Sequence, residues 1–191
     1  MKRLTISVLC LVLLCSVVLA ACSNNAGEKL DKVVMNASWV YNYKDVQELT
    51  EKSDLIAYVS INSMESYEEN GIVKTKYQAE IVDEIYGEKT RTVEIIMTGG
   101  VVGKTIYELE DDPLMVPNDE FLIFARKNTN GTYTILSGPQ GRFVVEGNMV
   151  YSLNVAESQV AKANPYSNIK VDGVEKDLFI SQIQAYLGAM E

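Results

Sequence analysis

Histidine is absent from the 191-residue sequence, and this absence removes several classes of enzyme from consideration. Ser-His-Asp triads, cysteine nucleophiles activated by histidine, and histidine-ligated zinc centres all require an imidazole. The sequence therefore predicts no catalytic residue, no cofactor and no metal centre of these kinds. A binding function is the simpler expectation.

Residues 1–21 have the composition of an export signal. Met1-Lys2-Arg3 is a short basic start, and the mostly apolar run from Leu4 to Leu19 that follows is too short for a spanning helix of roughly 20 residues. Leu19-Ala20-Ala21-Cys22 then resembles the bacterial lipobox, in which small residues precede the cysteine that receives a diacylglyceryl group. The resemblance predicts cleavage before Cys22 and a lipid anchor on the extracytoplasmic face of the cell membrane. The alternatives are an uncleaved anchor or an incidental cysteine.

Cysteine is scarce, and the few that occur are all near the start of the chain. Cys10 and Cys15 lie in the predicted leader, and Cys22 is the predicted lipid attachment site. No thiol then remains for a disulfide or for a nucleophile. The folded part must be stabilised by a hydrophobic core, for which about 150 residues suffice.

Basic residues are outnumbered by acidic ones. Two of the 17 basic residues, Lys2 and Arg3, lie in the predicted leader, whereas all 26 acidic residues follow it, so the mature chain has a formal net charge of −11. Such a surface is repelled by nucleic acid and by anionic lipid. We therefore expect a protein, peptide or glycan partner and no nucleic acid.

Composition divides the chain into four parts. They are a signal peptide (1–21), a lipidated tether (22–38), an OB-like β-barrel domain (39–153) and a C-terminal extension with an amphipathic helix (154–191). In the barrel domain, Trp39-Val40-Tyr41 is the first apolar anchor, and a short helix is expected from Asp45 to Ser53.

A two-residue period begins at Asp54 and predicts three strands. The clearest is the second, from Val73 to Ile81, in which Tyr77 shares the buried face with its alternate neighbours. The third covers Val93 to Met97. An irregular section with one short strand near Thr105 to Leu109 is expected after it.

The second half of the barrel domain is predicted from apolar runs and turns. Phe121 to Phe124 is apolar on both faces, which indicates a central strand or one covered by a helix. Turns at Asn128 to Gly131 and at Gly147-Asn148 predict two hairpins. Near the C-terminus, a helix from about Val174 to Met190 is expected. Its shared buried face is predicted to consist of Leu178, Ile183, Leu187 and Met190, with Phe179 and Tyr186 at the edges.

These elements predict a mainly β fold, an OB-like closed barrel with a helix before it and a helix after it. Segments along 53–146 are similar in order to those of small lipoproteins of Gram-positive bacteria. They are Ser53-Asp54-Leu55-Ile56, Tyr77 to Gly87, Gly99 to Gly103, Glu120 to Phe124 and Gly138 to Phe143.

More distantly, the pattern resembles the OB-fold barrel of netrin-like and tissue-metalloproteinase-inhibitor domains, which implies the same barrel here. Those inhibitors insert a disulfide-fixed N-terminal cysteine into the protease, whereas Cys22 is predicted to be lipidated. We therefore expect this chain to share the fold of those domains and not their inhibition of proteases.

Two glycine-rich stretches suggest a place for a partner, because glycine permits close approach of the backbone. Loops from different strands meet at one end of a small barrel and can form a binding rim. The residues of this predicted rim are Gly99, Gly100, Gly103, Gln140 and Arg142. The alternative is that both stretches are tight turns and that Arg142 pairs with a neighbouring acid.

Two further groups of residues are open to a functional interpretation. An acidic loop offers hard oxygen ligands for Ca²⁺, although a solvated run of charge is the simpler interpretation; its residues are Glu108, Glu110, Asp111 and Asp112. Six tyrosines on or beside strands suggest an aromatic binding face, and the alternative is that they form the barrel wall; they are Tyr58, Tyr67, Tyr77, Tyr86, Tyr107 and Tyr133.

The sequence thus predicts a membrane-anchored, non-catalytic binding module. A carboxylate hydrolase without histidine and a protease-inhibitor-like domain are the alternatives.

Overall fold

The computed structural model describes residues 30–36, 38–153 and 169–190. The predicted leader, the predicted lipidation site Cys22 and residues 154–168 of the C-terminal extension lie outside the described residues. Within them, no helix is long and apolar enough to cross a membrane. All contacts reported below belong to the unit that begins at Asp31.

The described chain contains eleven strands and two α-helices. In chain order they are β1 (Asp31–Met35), α1 (Val46–Lys52), β2 (Leu55–Glu69), β3 (Ile72–Tyr86), β4 (Thr92–Thr98), β5 (Gly100–Val102), β6 (Thr105–Leu109), β7 (Glu120–Lys127), β8 (Tyr133–Ile135), β9 (Arg142–Glu146), β10 (Met149–Ser152), β11 (Asp172–Glu175) and α2 (Lys176–Gly188). A 3₁₀ turn, Gly138–Gln140, joins β8 to β9.

Five strands close a small barrel in the order β7, β2, β3, β4, β8 and back to β7. Every neighbouring pair is antiparallel except β4 and β8, which are parallel at Ile95 and Tyr133. The predicted mainly β fold with a closed barrel between a short helix and a C-terminal helix is therefore confirmed. A further arm of the sheet continues from β7 through β9 and β10 to β11.

The barrel interior is filled by alternate residues of its strands, as a two-residue period requires. All five barrel strands contribute buried residues to this interior, and Tyr77 of β3 lies fully buried among them. The core residues from β2 and β7 are Leu55, Ala57, Val59, Ile61, Phe121, Ile123 and Ala125. The predicted two-residue alternation of buried residues is confirmed on β2, β3 and β4.

A second core lies on the outer face of β2, β7, β9 and β10, where the two helices cover the sheet. Leu122 and Phe124 of β7 face this core, so the strand that is apolar on both faces is central and also covered by a helix, as predicted. Phe143 of β9 bridges to α2, because its ring centroid lies 5.3 Å from that of Phe179.

The buried face of α2 differs from the predicted one. Phe179, Ile180 and Ile183 are buried, whereas Leu178 and Met190 are 63% and 49% exposed. The prediction of a face through Leu178 and Met190 is therefore wrong. Residues 172–175 pair with β10 as a strand, so the helix begins later than expected, and packing against Phe143 selects the Phe179 face.

Two strands lie where irregular chain was expected. β1 falls within the predicted tether and runs parallel to β6, with the Asp31 amide donating to the Lys104 carbonyl at 2.9 Å. β5 begins at Gly100, whose φ of +150° suits glycine; a Cβ there would collide with the side chains of Ser66 and Thr75. Short strands of this kind form because a neighbouring strand offers unpaired backbone, which local sequence does not reveal.

Tyr77 provides a test of the barrel core. It is fully buried, its hydroxyl makes no hydrogen bond of good geometry although the Met115 backbone and the Thr75 side chain lie near it, and burial raises its pKa to about 12. Tyr77→Ala should lower the free energy of unfolding by about 3–5 kcal/mol, whereas Tyr77→Phe should be nearly neutral at pH 7. Chemical denaturation measures both.

The raised pKa also predicts how alkali acts. The folded state favours the neutral phenol, so stability should fall as the pH rises from 10 towards 12, and the fall should be smaller in Tyr77→Phe. A Tyr77→Ala variant as stable as the native protein would place the ring outside the core.

Candidate functional site

The two polar residues of the predicted rim do not project into solvent. Gln140 is 3% exposed and Arg142 is 1% exposed, so the expectation that they form an exposed donor-rich point is wrong. The alternative, a tight turn with Arg142 paired to an acid, is the arrangement found. Both side chains point inward because each meets a partner from a distant part of the chain.

Arg142 pairs with Asp112 inside the protein. Its Nη2 donates to Asp112 Oδ1 at 2.6 Å and to the Pro113 carbonyl at 2.7 Å, and its guanidinium lies 5.0 Å from the centroid of the Phe121 ring. Burial raises the pKa of Asp112 to about 6, although the Arg142 charge opposes this shift. The pair ties the start of β9 to the loop before β7.

The acidic loop is divided between separate contacts. Asp112 is committed to Arg142, while Glu108 pairs with Lys32 of β1 and accepts from the Leu114 amide at 3.1 Å. Within 30–36, 38–153 and 169–190, no three acidic side chains lie together as metal ligands would. The structure does not gather Glu108, Glu110, Asp111 and Asp112 into one site: Asp112 and Glu108 each make separate contacts within the fold.

The glycines of the other predicted rim stretch serve the local backbone. Gly99 and Gly100 lie where β4 meets β5, with Tyr107 and Ser66 against them, and Gly103 has φ +60° in the turn between β5 and β6. Their conformations and close contacts account for glycine at these positions.

Gln140 fixes an N-terminal segment that sequence reasoning did not single out as a site. Its Oε1 accepts from the Tyr43 amide at 2.9 Å, and its Nε2 donates to the Tyr43 carbonyl at 3.0 Å. In addition, Ser137 Oγ donates to the Tyr41 carbonyl at 2.5 Å. The turn between β8 and β9 thus satisfies the backbone of a segment about a hundred residues earlier in the chain.

This segment forms one wall of an open groove, here called the aromatic groove, of about 760 Å³. The opposite wall is the hairpin of β7 and β8. The groove is lined by Trp39, Val40, Tyr41, Tyr43, Lys52, Arg126, Asn128, Thr134, Ile135, Leu136 and Ser137. It combines aromatic, aliphatic, hydroxyl, amide and basic groups.

The aromatic side chains of the groove are ordered by close contacts. Gly138 has φ +51°, and a Cβ there would overlap the Trp39 indole, so only glycine lets the ring lie against the turn. The Tyr41 and Tyr43 ring centroids are 4.7 Å apart with the planes tilted by 54°. Tyr43 is buried, Tyr41 is 48% exposed and Val40 is fully exposed.

Hydrogen bonding and charge further define the groove. Tyr41 Oη donates to Glu48 Oε1 at 2.5 Å, which raises the pKa of Tyr41 and lowers that of Glu48. Burial raises the pKa of Tyr43, and the nearby Arg126 charge partly offsets this. Two basic side chains, Arg126 and Lys52, are in the lining of the groove, and the Glu48 carboxylate is bonded to Tyr41 beside it.

The six tyrosines of the predicted binding face are not gathered on one surface. Tyr77 and Tyr133 are buried in the barrel core and Tyr58 in the second core, so the alternative that they form the barrel wall holds for these three, whereas Tyr86 is 42% exposed. The groove aromatics instead follow a Trp-x-Tyr-x-Tyr pattern from Trp39 to Tyr43. That spacing of two is the signal by which sequence reasoning can find them.

No family model matches the chain, and no curated protein matches it significantly. The small closed barrel is established by the structure, while the resemblance to lipoproteins and netrin-like domains stays a prediction.

The buried ion pair leads to a test of what holds the turn. Arg142→Met should lower the free energy of unfolding by about 3–5 kcal/mol, because it leaves the Asp112 carboxylate buried without its partner. The loss should shrink as the pH is lowered, since protonation of Asp112 removes the uncompensated charge. Chemical denaturation across pH measures both effects.

Two further variants complete that test. Arg142→Met combined with Asp112→Asn should cost less than the sum of the single changes, whereas Arg91→Gln, at an exposed arginine, should stay within about 0.5 kcal/mol of the native protein. A single Arg142→Met that leaves stability unchanged would contradict a structural role for the pair.

Proposed function

We propose that the chain is a lipid-anchored, extracytoplasmic, non-catalytic binding protein that takes a peptide or glycan ligand in the aromatic groove. The observation that carries the proposal is the groove itself, an open concavity lined by Trp39, Tyr41 and Tyr43 beside amide, hydroxyl and basic groups. Concave sites with aromatic walls and a few polar groups are typical of ligand binding.

Preorganisation of the groove supports this function. Val40 is fully exposed, yet the backbone that follows it is fixed by the hydrogen bonds of Ser137 to Tyr41 and of Gln140 to Tyr43. A ligand then meets aromatic rings that are already ordered, which lowers the entropy cost of binding. An exposed aliphatic side chain held in this way contributes little to the stability of the fold and is available to contact a ligand.

The chemistry of the groove favours binding over hydrolysis. The acids considered for a hydrolase lie in the loop before β7, where Asp112 is buried against Arg142 and Glu108 pairs with Lys32. A glycosidase needs two carboxylates facing one bound sugar. The lining of the aromatic groove includes no carboxylate among the described residues.

The proposed anchor would keep this site near the membrane. Two acyl chains on Cys22 supply stable attachment without a spanning helix. The acidic chain would be held away from anionic lipid by its charge.

Site-specific photo-crosslinking in living cells tests the proposal. A photoreactive amino acid in place of Val40 should form adducts with the ligand, because this side chain is fully exposed at the groove. The same amino acid in place of Val82, which is 54% exposed on β3, is the matched control and should form far fewer. Gel shifts and mass spectrometry measure the adducts.

A comparison with Cys22→Ser in the same cells tests the anchor, since loss of the acylated thiol should release the protein from the membrane fraction. Equal adducts at positions 40 and 82, or none at position 40, would overturn binding at the groove. Retention of Cys22→Ser in the membrane fraction would overturn the anchor.

A further inference from the structure

We infer that the ligand of the aromatic groove is an acidic peptide, an extended segment whose carboxylates lie beside apolar or aromatic side chains. The inference rests on the proposed function and names its ligand class. It is carried by the charge of the groove, which is opposite to that of the chain as a whole.

The two basic side chains of the groove are available to a ligand. Lys52 ends α1 and Arg126 lies near the end of β7, and both are exposed. Among the described residues, neither side chain forms a salt bridge, although Lys52 interacts electrostatically with Glu48, whereas the neighbouring Lys127 is bound to Glu88 at 2.5 Å. On a chain with a formal net charge of −9, two cations in the lining of one concavity form a local exception.

This exception predicts which charge the ligand carries. An arginine guanidinium binds a carboxylate through two parallel hydrogen bonds, and partial burial between aromatic walls strengthens the interaction. Because the rest of the surface is acidic, it repels an acidic ligand and thereby directs it to the one positive concavity described here.

The apolar lining favours a peptide over a sugar. Val40 presents an exposed aliphatic group beside the aromatic rings, and the largely buried Ile135 and Leu136 also line the groove. An exposed aliphatic group matches leucine or phenylalanine side chains. Asn128 and Thr134 lie on the β7–β8 wall, where Asn128 Nδ2 donates to Thr134 Oγ1 at 3.0 Å. An extended peptide places alternate side chains on opposite faces, so carboxylates and apolar groups can meet different walls.

The test uses the full-length lipoprotein in detergent and an array of random synthetic ten-residue peptides. Bound peptides should be enriched in Asp or Glu next to Phe, Tyr or Leu. Selected peptides are then titrated in solution against the fluorescence of Trp39, the single tryptophan of the chain, which lines the groove. Binding should weaken as sodium chloride is raised.

Matched variants separate the groove cations from general charge. Arg126→Gln with Lys52→Gln should weaken binding at least tenfold, by analogy with other exposed charge pairs at interfaces. Arg91→Gln, at an exposed arginine next to β4, should leave it unchanged. Circular dichroism should be the same for all variants, because the three side chains are exposed.

Four outcomes would overturn the inference. They are enrichment of basic peptides, no enrichment at all, equal binding by the Arg126→Gln/Lys52→Gln variant, and a Trp39 response to a neutral N-acetylglucosamine hexamer but not to acidic peptides. If position 40 forms adducts and Trp39 responds only to the N-acetylglucosamine hexamer, the proposed binding function stands and the ligand is a glycan. No adducts and no response to either probe would overturn both.

Discussion

The paired hydrogen bonds between the Gln140 amide and the Tyr43 backbone are the interaction on which the aromatic groove depends. They join the turn between β8 and β9 to a segment that precedes the barrel, and both groups of Tyr43 are satisfied by one side chain. The same turn places Gly138 against Trp39, and Arg142 follows it to pair with Asp112. The turn is thus fixed by the buried pair of Arg142 and Asp112, and through Gln140 and Gly138 it orders the aromatic segment.

Charge is used in two opposite ways in this protein. Arg142 and Asp112 are both removed from water, and such a pair stabilises only while both partners are present, because a lone buried charge is costly. Lys52 and Arg126 are exposed and form no salt bridge among the described residues, although Lys52 interacts electrostatically with Glu48. The buried pair fixes the turn, and the two exposed cations are those proposed to attract the ligand of the groove.

Much of the barrel follows from local pattern, whereas the site does not. The alternation around Tyr77, the doubly apolar run from Phe121 to Phe124 and the two glycine turns predict the barrel, because strand period and turn chemistry are local properties. Gln140 and Arg142 sit in a Gly-Pro turn, where polar residues suggest exposure. Their partners lie 97 and 30 residues away, and only the closed barrel brings them together. The prediction of the buried face of α2 was wrong for a similar reason. The helix begins later than expected because β11 precedes it, and packing against Phe143 determines which face is buried.

Amide hydrogen exchange at Tyr43 tests most directly whether the turn holds the aromatic segment. If Gln140 orders this segment, the Tyr43 amide exchanges slowly in the native protein, and Gln140→Ala speeds its exchange at least about tenfold. The barrel amides of Tyr77 and Ile95 should keep their protection in the same variant, because their partners lie within the barrel strands β2, β3, β4 and β8. A Tyr43 amide that exchanges freely in the native protein, or that is unchanged by Gln140→Ala, would contradict the account.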